Sequence, residues 1–407
     1  MNKHKDGFIP YGCPSVDESD INAVCNVLRG NWLSQGPSIE KFEEKIAHYC
    51  GVRYAVVVSS GTAALHLACM ATGLSKGDYH WTSPVTFVAT SNCGVYCGSR
   101  PEFVDIDTGT YNMDVTLLEE KLVEAKKEGR LPKVVIPVHF AGLPCDMKSI
   151  HALSEEYGFQ IIEDACHALG ARYRTKSGEW TKVGSCTHSD MTVFSFHPVK
   201  HITTGEGGSL TTNDKKVYEL LLMLRNHGIT KDQRLFSNTN NEAGLWYYEM
   251  QTLGYNYRLS DIHCALGISQ LSRLDEMIKK RQELALQYDG LLSNVSGITP
   301  QKRMDGYENS FHLYITLVDY EGYGTSRTEL VKSLKDFGIG TQVHYIPVYS
   351  HPYYIKHFNV KSCDYPNAEE YYAKALSFPL FADITEQTVA FIVEKLLELL
   401  ENKLVNG

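Results

Sequence analysis

The sequence predicts an α/β protein: a large, mainly parallel sheet unit followed by a smaller α+β unit. Three observations predict it. Short β-branched runs alternate with helix-patterned segments as far as about residue 259. The runs are apolar without a polar alternate, as expected for parallel strands covered on both faces. Beyond residue 259 the alternation stops, and a long helical stretch precedes a few more strands.

The elements follow in order. YAVVVSS (54–60) reads as a strand and GTAALHLACMAT as the helix after it. The run 54–74 is long enough to cross a bilayer. Ser59, Ser60, Gly61, Thr62 and His66 interrupt it, so a buried strand, a tight turn and a buried helix are expected. WTSPVTF (81–87) reads as strand or extended chain, and RPEFVDID (100–107) as a strand. TLLEEKLVEAKKEG places apolar residues at helical spacing beneath a charged face. KVVIPVHF (133–140) is a strand, and MKSIHALSEEYG an amphipathic helix stopped by Gly158. QIIEDAC (160–166) and MTVFSFHP (191–198) are further strands. From LSDIHCALG to YDGLL a single long helix is expected. SFHLYITLV (310–318) and IGTQVHYIPVY (339–349) read as strands, before a C-terminal helix rich in Leu and Glu. The expected division is 1–265, with the N-terminal segment, and 266–407.

A chain of 407 residues suffices for two or three domains with a large core. Its 43% hydrophobic and 21% charged residues are those of a soluble globular protein. A net charge of −9, with both signs interspersed, argues against nucleic acid or an anionic membrane as the main partner. A locally positive site for a small anion stays open. MNKHKDGFIPYG has no apolar signal region, and eleven cysteines without one suggest reduced thiols in the cytoplasm. Cys93 and Cys97 stand at helical spacing without a paired CxxC, which favours core over metal, and no metal site is expected.

Polar residues gather at three strand ends, where parallel sheets bind ligands. Ser60-Gly61-Thr62 opens a helix, a natural anion site, although Thr62 could equally be only its cap. IIEDACHALG sets Glu163, Asp164 and His167 after a buried strand; an aspartate there is commonly a cap, or it could hold a cationic ring nitrogen. FSFHPVKHITTGEGGSL follows a strand with Ser195 and Lys200. Lysine is ordinarily solvated surface. A phosphate cradle, a carboxylate and a lysine on one sheet edge are together the parts needed to hold pyridoxal 5′-phosphate. The lysine would form a Schiff base with the aldehyde, and the carboxylate would keep the pyridine nitrogen protonated. The glycines of TTGEGG allow tight turns, and an ordinary hairpin there is compatible with this role.

GTAALH, EDACHALG, FSFHPVKHITTGEGG and YNYRLSDIHCALG together resemble the DegT/DnrJ/EryC1/StrS sugar aminotransferases, within PLP-dependent transferase fold type I. The resemblance covers most of the chain, and WTSPVTFVATSNCGVYCG is similar to the branch acting in pseudaminic acid biosynthesis. It implies amino transfer from L-glutamate to C4 of a UDP-linked 4-keto-6-deoxy-N-acetyl-hexosamine. It also implies roles for particular residues: Lys200 as the Schiff-base lysine, Asp164 on the ring nitrogen, and His167 on the ring 3-oxygen. Cys166 would lie against one ring face and Phe87 against the other. Gly61, Thr62 and Ser195 would cradle the phosphate. Asn256 would reach the phosphate of a neighbouring subunit, which implies a homodimer with shared sites. Arg225, His227, Arg258, His344 and Tyr345 are candidates for the sugar nucleotide or the donor carboxylate, with a structural role standing equally beside each.

Three rivals stay open at this point. Another nucleotide keto-sugar, 3-keto or 4-keto, could be the substrate. A dehydratase of the same fold would carry a histidine in place of the lysine, and His201 directly follows Lys200. A cofactor-free binding protein could keep the fold.

Overall fold

The computed structural model describes residues 7–237 and 244–406. Helix α1 (Glu18–Leu28) opens with a capping box between Asp17 and Asp20, and α2 (Pro37–Cys50) closes on Gly51 at φ 71°. The large sheet then begins with β1 (Tyr54–Val58), α3 (Gly61–Ala71), β2 (Tyr79–Thr82), α4 (Ala89–Tyr96) and β3 (Arg100–Phe103). It continues through α5 (Val115–Glu128), β4 (Val134–Ile136), α6 (Met147–Tyr157) and β5 (Gln160–Asp164). A small hairpin, β6 (Arg172–Arg174) and β7 (Trp180–Lys182), stands aside before β8 (Met191–Ser195) and β9 (Gly208–Thr212).

The seven strands lie in the order β1-β9-β8-β5-β4-β2-β3. β8, β5, β4, β2 and β3 run parallel, while β9 is antiparallel to both its neighbours. The uninterrupted apolar runs have a simple cause. Successive side chains leave a strand on opposite faces, and both faces are covered. Along β1, Ala55 and Val57 enter one hydrophobic cluster, while Val56 and Val58 enter another on the reverse side. The run 54–74 is therefore a buried strand, a turn and a buried helix, as expected. No helix among the described residues is long and apolar enough to cross a membrane.

After α7 (Lys215–Leu224) comes a ribbon of β10 (Ile229–Thr230) and β11 (Glu249–Met250). The single helix expected from residue 259 is in fact two, α8 (Asp261–Leu271) and α9 (Leu274–Leu292). Arg273 breaks it with φ −110° and ψ 4°. Its guanidinium pairs with Asp17 and Asp20 at the start of α1, an outside partner that periodicity does not register. Helix α9 then bridges two cores, with Met277 and Ile278 in the first and Leu284 and Tyr288 in the second.

The second core lies on a three-stranded antiparallel sheet of β12 (Ile298–Pro300), β14 (Tyr314–Val318) and β15 (Ala375–Phe378), while β13 (Tyr307–Glu308) joins the β6–β7 hairpin. Helices α10 (Arg327–Asp336), α11 (Pro352–Phe358), α12 (Pro366–Lys374) and α13 (Glu386–Asn406) complete the chain. The strand expected over 339–349 does not form. Two isolated bridges, Ile339 to Ile9 and Gln342 to Ser377, are the pairing there, and the segment otherwise runs as an irregular loop. The N-terminal segment also packs on this second unit: the Ile9 amide donates to the Gly338 carbonyl at 2.7 Å, and Leu380 to Tyr11 at 3.1 Å.

Candidate active site

The carboxyl ends of β1, β5 and β8 converge on a cavity of about 560 Å³. At the end of β1, the Ser60 hydroxyl accepts from the Ala63 amide at 3.1 Å and so caps α3. The cap is thus Ser60, not Thr62, whose side chain is left to line the cavity. Here the chain admits no bulk: a Cβ on Gly61 would lie 2.9 Å from Cβ of Ser195 and 3.3 Å from Sγ of Cys166. Gly208 is equally constrained, since a Cβ there would meet the Ser60 backbone at 2.6 Å.

At the end of β5 the alternation of the strand separates two acids. Asp164 points into the cavity. Its Oδ2 accepts from the Thr90 hydroxyl at 2.7 Å, and its Oδ1 from the Cys166 amide at 3.1 Å. Each oxygen is aimed by one donor and keeps lone-pair capacity for another. Glu163 is absent from the cavity wall. It accepts from His139 Nε2 at 2.6 Å, Thr192 at 2.8 Å and the Ser189 hydroxyl. Nδ1 of His139 accepts from the Cys145 amide at 3.0 Å, so Nε2 is the protonated nitrogen and the pair needs no imidazolium. Glu163 is structural.

Lys200 sits in the turn after β8, where its amide donates to the His197 carbonyl at 2.9 Å. Its amine enters the cavity and meets Nε2 of His312 at 3.3 Å. Burial pulls its pKa down to about 8, against the opposing pull of Cys166 and Asp164. His201 is turned away: its Nε2 lies 3.0 Å from the Ser310 carbonyl, and it does not line the cavity.

His167 and Tyr345 face each other across the cavity, Nε2 to hydroxyl, at 3.0 Å. Burial, then the charge of Lys200, holds His167 well below the usual imidazole range, so the ring is neutral. Its Nδ1 is buried and has no hydrogen-bond partner among the described residues. His344 also lines the cavity, with Nδ1 at 2.9 Å from the Ser377 hydroxyl and its pKa pushed down to about 3 by burial. Ser195 and Cys166 complete the inner wall, and Phe87, 57% exposed, stands at the mouth.

Four expected residues lie elsewhere. Arg225 is bonded to the Glu43 carboxylate and, at 2.7 Å, to the Val57 carbonyl, so its charge is spent inside the fold. Arg258 donates to Asn226. His227, at φ 59°, and Asn256 are exposed and absent from the cavity wall. Conversely, reasoning from the sequence passed over Thr90, His312 and Tyr11, which do line the cavity. Thr90 lies three residues beyond the run 81–87 read as strand or extended, in the first turn of α4. His312 is the third residue of the mainly apolar run SFHLYITLV, just ahead of β14, and that lone imidazole was the available signal.

A model of the DegT/DnrJ/EryC1/StrS aminotransferase family matches residues 14–397. The spore coat polysaccharide biosynthesis protein SpsC of Bacillus subtilis is 39% identical over 98% of this chain and 99% of its own length. A Campylobacter jejuni protein, UDP-4-amino-4,6-dideoxy-N-acetyl-beta-L-altrosamine transaminase, is 38% identical over 97% of this chain and 98% of its own. Among solved structures, Helicobacter pylori PseC, an aminotransferase of pseudaminic acid biosynthesis, superimposes with a TM-score of 0.86 at 31% identity, over 97% of this chain and 100% of that one. The pyridoxal-phosphate form of the sugar aminotransferase Spr1654 from Streptococcus pneumoniae gives a TM-score of 0.84 at 28% identity, over 97% of this chain and 99% of that one. With the lysine, the carboxylate and the capped helix on one cavity wall, this chain belongs to the DegT/DnrJ/EryC1/StrS family of PLP-dependent sugar aminotransferases.

Proposed function

We propose that the protein transfers the amino group of L-glutamate to C4 of a UDP-linked 4-keto-6-deoxy-N-acetyl-hexosamine, using pyridoxal 5′-phosphate. The observation that carries the reading is that Lys200 and Asp164, 36 positions apart in the sequence, share one cavity with the N-terminus of α3. The similarity to the altrosamine transaminase and to PseC supports the choice of sugar.

The residues fit the cofactor on two features. Gly61 puts no side chain at the start of α3, where a Cβ would crowd Ser195 and Cys166, so the backbone amides on this wall of the cavity stay open to a ligand. The neutral His167 ring retains a buried nitrogen without a partner. In this reading the free amides of Gly61 and Thr62, with the Ser195 hydroxyl, hold the phosphate at the helix N-terminus. Asp164 keeps the ring nitrogen protonated, His167 meets the ring oxygen, and Phe87 and Cys166 bound the ring faces. When bound, the cofactor supplies an aldehyde for capturing amines and a ring that accepts electrons. Lys200 anchors it, and its amine, with a pKa of about 8, both takes and gives a proton near neutral pH.

Asn256, exposed in one chain, is available to a neighbouring subunit, so the working form is a homodimer with shared sites, and the setting is cytoplasmic. The division between large and small units is kept at residues 265 and 266. A dehydratase is disfavoured by His201, which is spent on the Ser310 carbonyl.

The test is a panel of nucleotide keto-sugars offered with glutamate, following amino-sugar formation. The UDP-4-keto-6-deoxy-N-acetyl-altrosamine precursor should be aminated fastest. Success only with another keto-sugar would overturn the substrate assignment and leave the family intact. Borohydride reduction and peptide mass spectrometry should place the label on Lys200.

A further inference from the structure

Lys200 meets one imidazole, and that imidazole belongs to the second unit of the chain. Nζ of Lys200 is 3.3 Å from Nε2 of His312, in the stretch leading into β14. The backbone around His312 is held rigidly. The Phe311 amide donates to Asn309 at 2.6 Å, and Nη1 of Arg281 donates to the carbonyls of Phe311 at 3.3 Å and His312 at 3.4 Å. The ring is packed against His167, with centroids 4.4 Å apart, and His201, 5.7 Å away. Both neighbours direct their Nε2 elsewhere, His167 to Tyr345 and His201 to the Ser310 carbonyl. The imidazole nitrogen that meets the amine is that of His312.

The proton inventory then sets the direction of the bond. An ammonium has three hydrogens to donate and no lone pair. Nε2 must therefore be bare when Lys200 is protonated, which puts the ring proton on Nδ1. Nδ1 of His312 is buried with no hydrogen-bond partner among the described residues, so no donor there forces the opposite tautomer. Nor can the ring escape by becoming charged. Burial, followed by Lys200, His167, His201 and Arg281, holds His312 well below the usual imidazole range. Lys200 itself is faced by Asp164 and Cys166, which favour its cation, while His344 lies close enough to be depressed by its charge.

We propose that His312 is a positioning residue for Lys200: its bare Nε2 accepts a hydrogen from the Nζ ammonium and aims the amine into the cavity. A proton taken up by Lys200 is then stabilised by an acceptor on the far side of the cleft, and the remaining N–H bonds point toward the ligand. This deepens the proposed function, since it rests on Lys200 being the cofactor lysine. Its test reads the lysine and histidine alone.

The experiment is competitive acetylation of the full-length, cofactor-free protein across pH, with mass spectrometry of the Lys200 peptide. Loss of the acceptor in His312→Leu should favour the uncharged amine. The midpoint should fall by about one pH unit or more, so modification below it is roughly tenfold faster. His312→Gln keeps an acceptor oxygen and should stay near the wild-type midpoint. A His312→Leu midpoint equal to or above wild type would overturn the proposal. Should that variant not fold, nitrogen-15 NMR of the wild-type protein decides, with the His312 signals assigned by their loss in His312→Gln. Below the lysine midpoint, Nδ1 protonated and Nε2 bare supports the role; the reverse tautomer removes it. Failure to take up pyridoxal phosphate would refute the function and leave these midpoints unaltered, whereas normal uptake with an unmoved midpoint refutes the role of His312 alone.

Discussion

Asp164→Asn is the sharpest perturbation, because the surroundings of this side chain separate its chemistry from its packing. The residue is 5% exposed and accepts from two donors. Asparagine keeps the shape. Its oxygen can retain the Cys166 amide, and its amide group would face Thr90, whose hydroxyl can turn to the Phe87 carbonyl 3.1 Å away. The local hydrogen bonding is thus re-satisfied, and the cost to folding should be about 1 kcal/mol. The cost to catalysis is of another order. Removing one member of a buried ion pair costs about 3–5 kcal/mol, which at 1.36 kcal/mol per decade slows turnover about 160- to 4700-fold. The assay is amino-sugar formation at saturating glutamate. A melting curve and the cofactor absorbance band, run alongside, show that the variant is folded and loaded. A folded, loaded asparagine variant with near-normal turnover would refute the assignment of Asp164 to the ring nitrogen.

Three further outcomes are expected. Gly61→Ala places a Cβ 2.9 Å from that of Ser195; overpacking of this kind costs about 1–3 kcal/mol, and a cofactor titration should show weaker binding with the fold retained. Arg225→Ala leaves Glu43 buried without its partner; the melting temperature should drop sharply for a loss of about 3–5 kcal/mol, while KM for the sugar nucleotide is unchanged. The third is a pH effect. The folded protein releases the Lys200 proton near 8 and the unfolded chain near 10.5, so between those values the unfolded state binds more protons and stability rises with pH. Relative to Lys200→Met, cofactor-free wild type should gain up to about 3 kcal/mol from pH 8 to 10.5 in denaturant melts; parallel curves would contradict the burial of a charged amine.

Much of the site was legible because its pieces are local. A strand end, a turn and a helix start lie within a few residues of one another, so Gly61, Asp164, Ser195 and Lys200 could be placed from alternation and composition. What the sequence left open was of a different kind. Glu163 and Asp164 look alike in sequence, yet one residue of strand period sends one to His139 and the other to the cavity. For Arg225 the sequence left substrate contact and a structural role side by side, and the structure shows it bonded to Glu43, 182 positions away. The break at Arg273 has its cause at Asp17 and Asp20, on another helix.

The sequence by itself determined the layered α/β architecture, the strand ends that carry chemistry and the family. The first two rest on periodicity and short-range spacing and the family on the resemblance of a few short motifs, all of which survive without knowledge of the fold. Only the tertiary structure decided which charges are already paired, that 339–349 crosses the cavity as a loop, and that His312 reaches Lys200 from 112 positions away. Those outcomes depend on which long-range partner satisfies a buried polar group. That choice is made when the two units pack, and no local pattern encodes it.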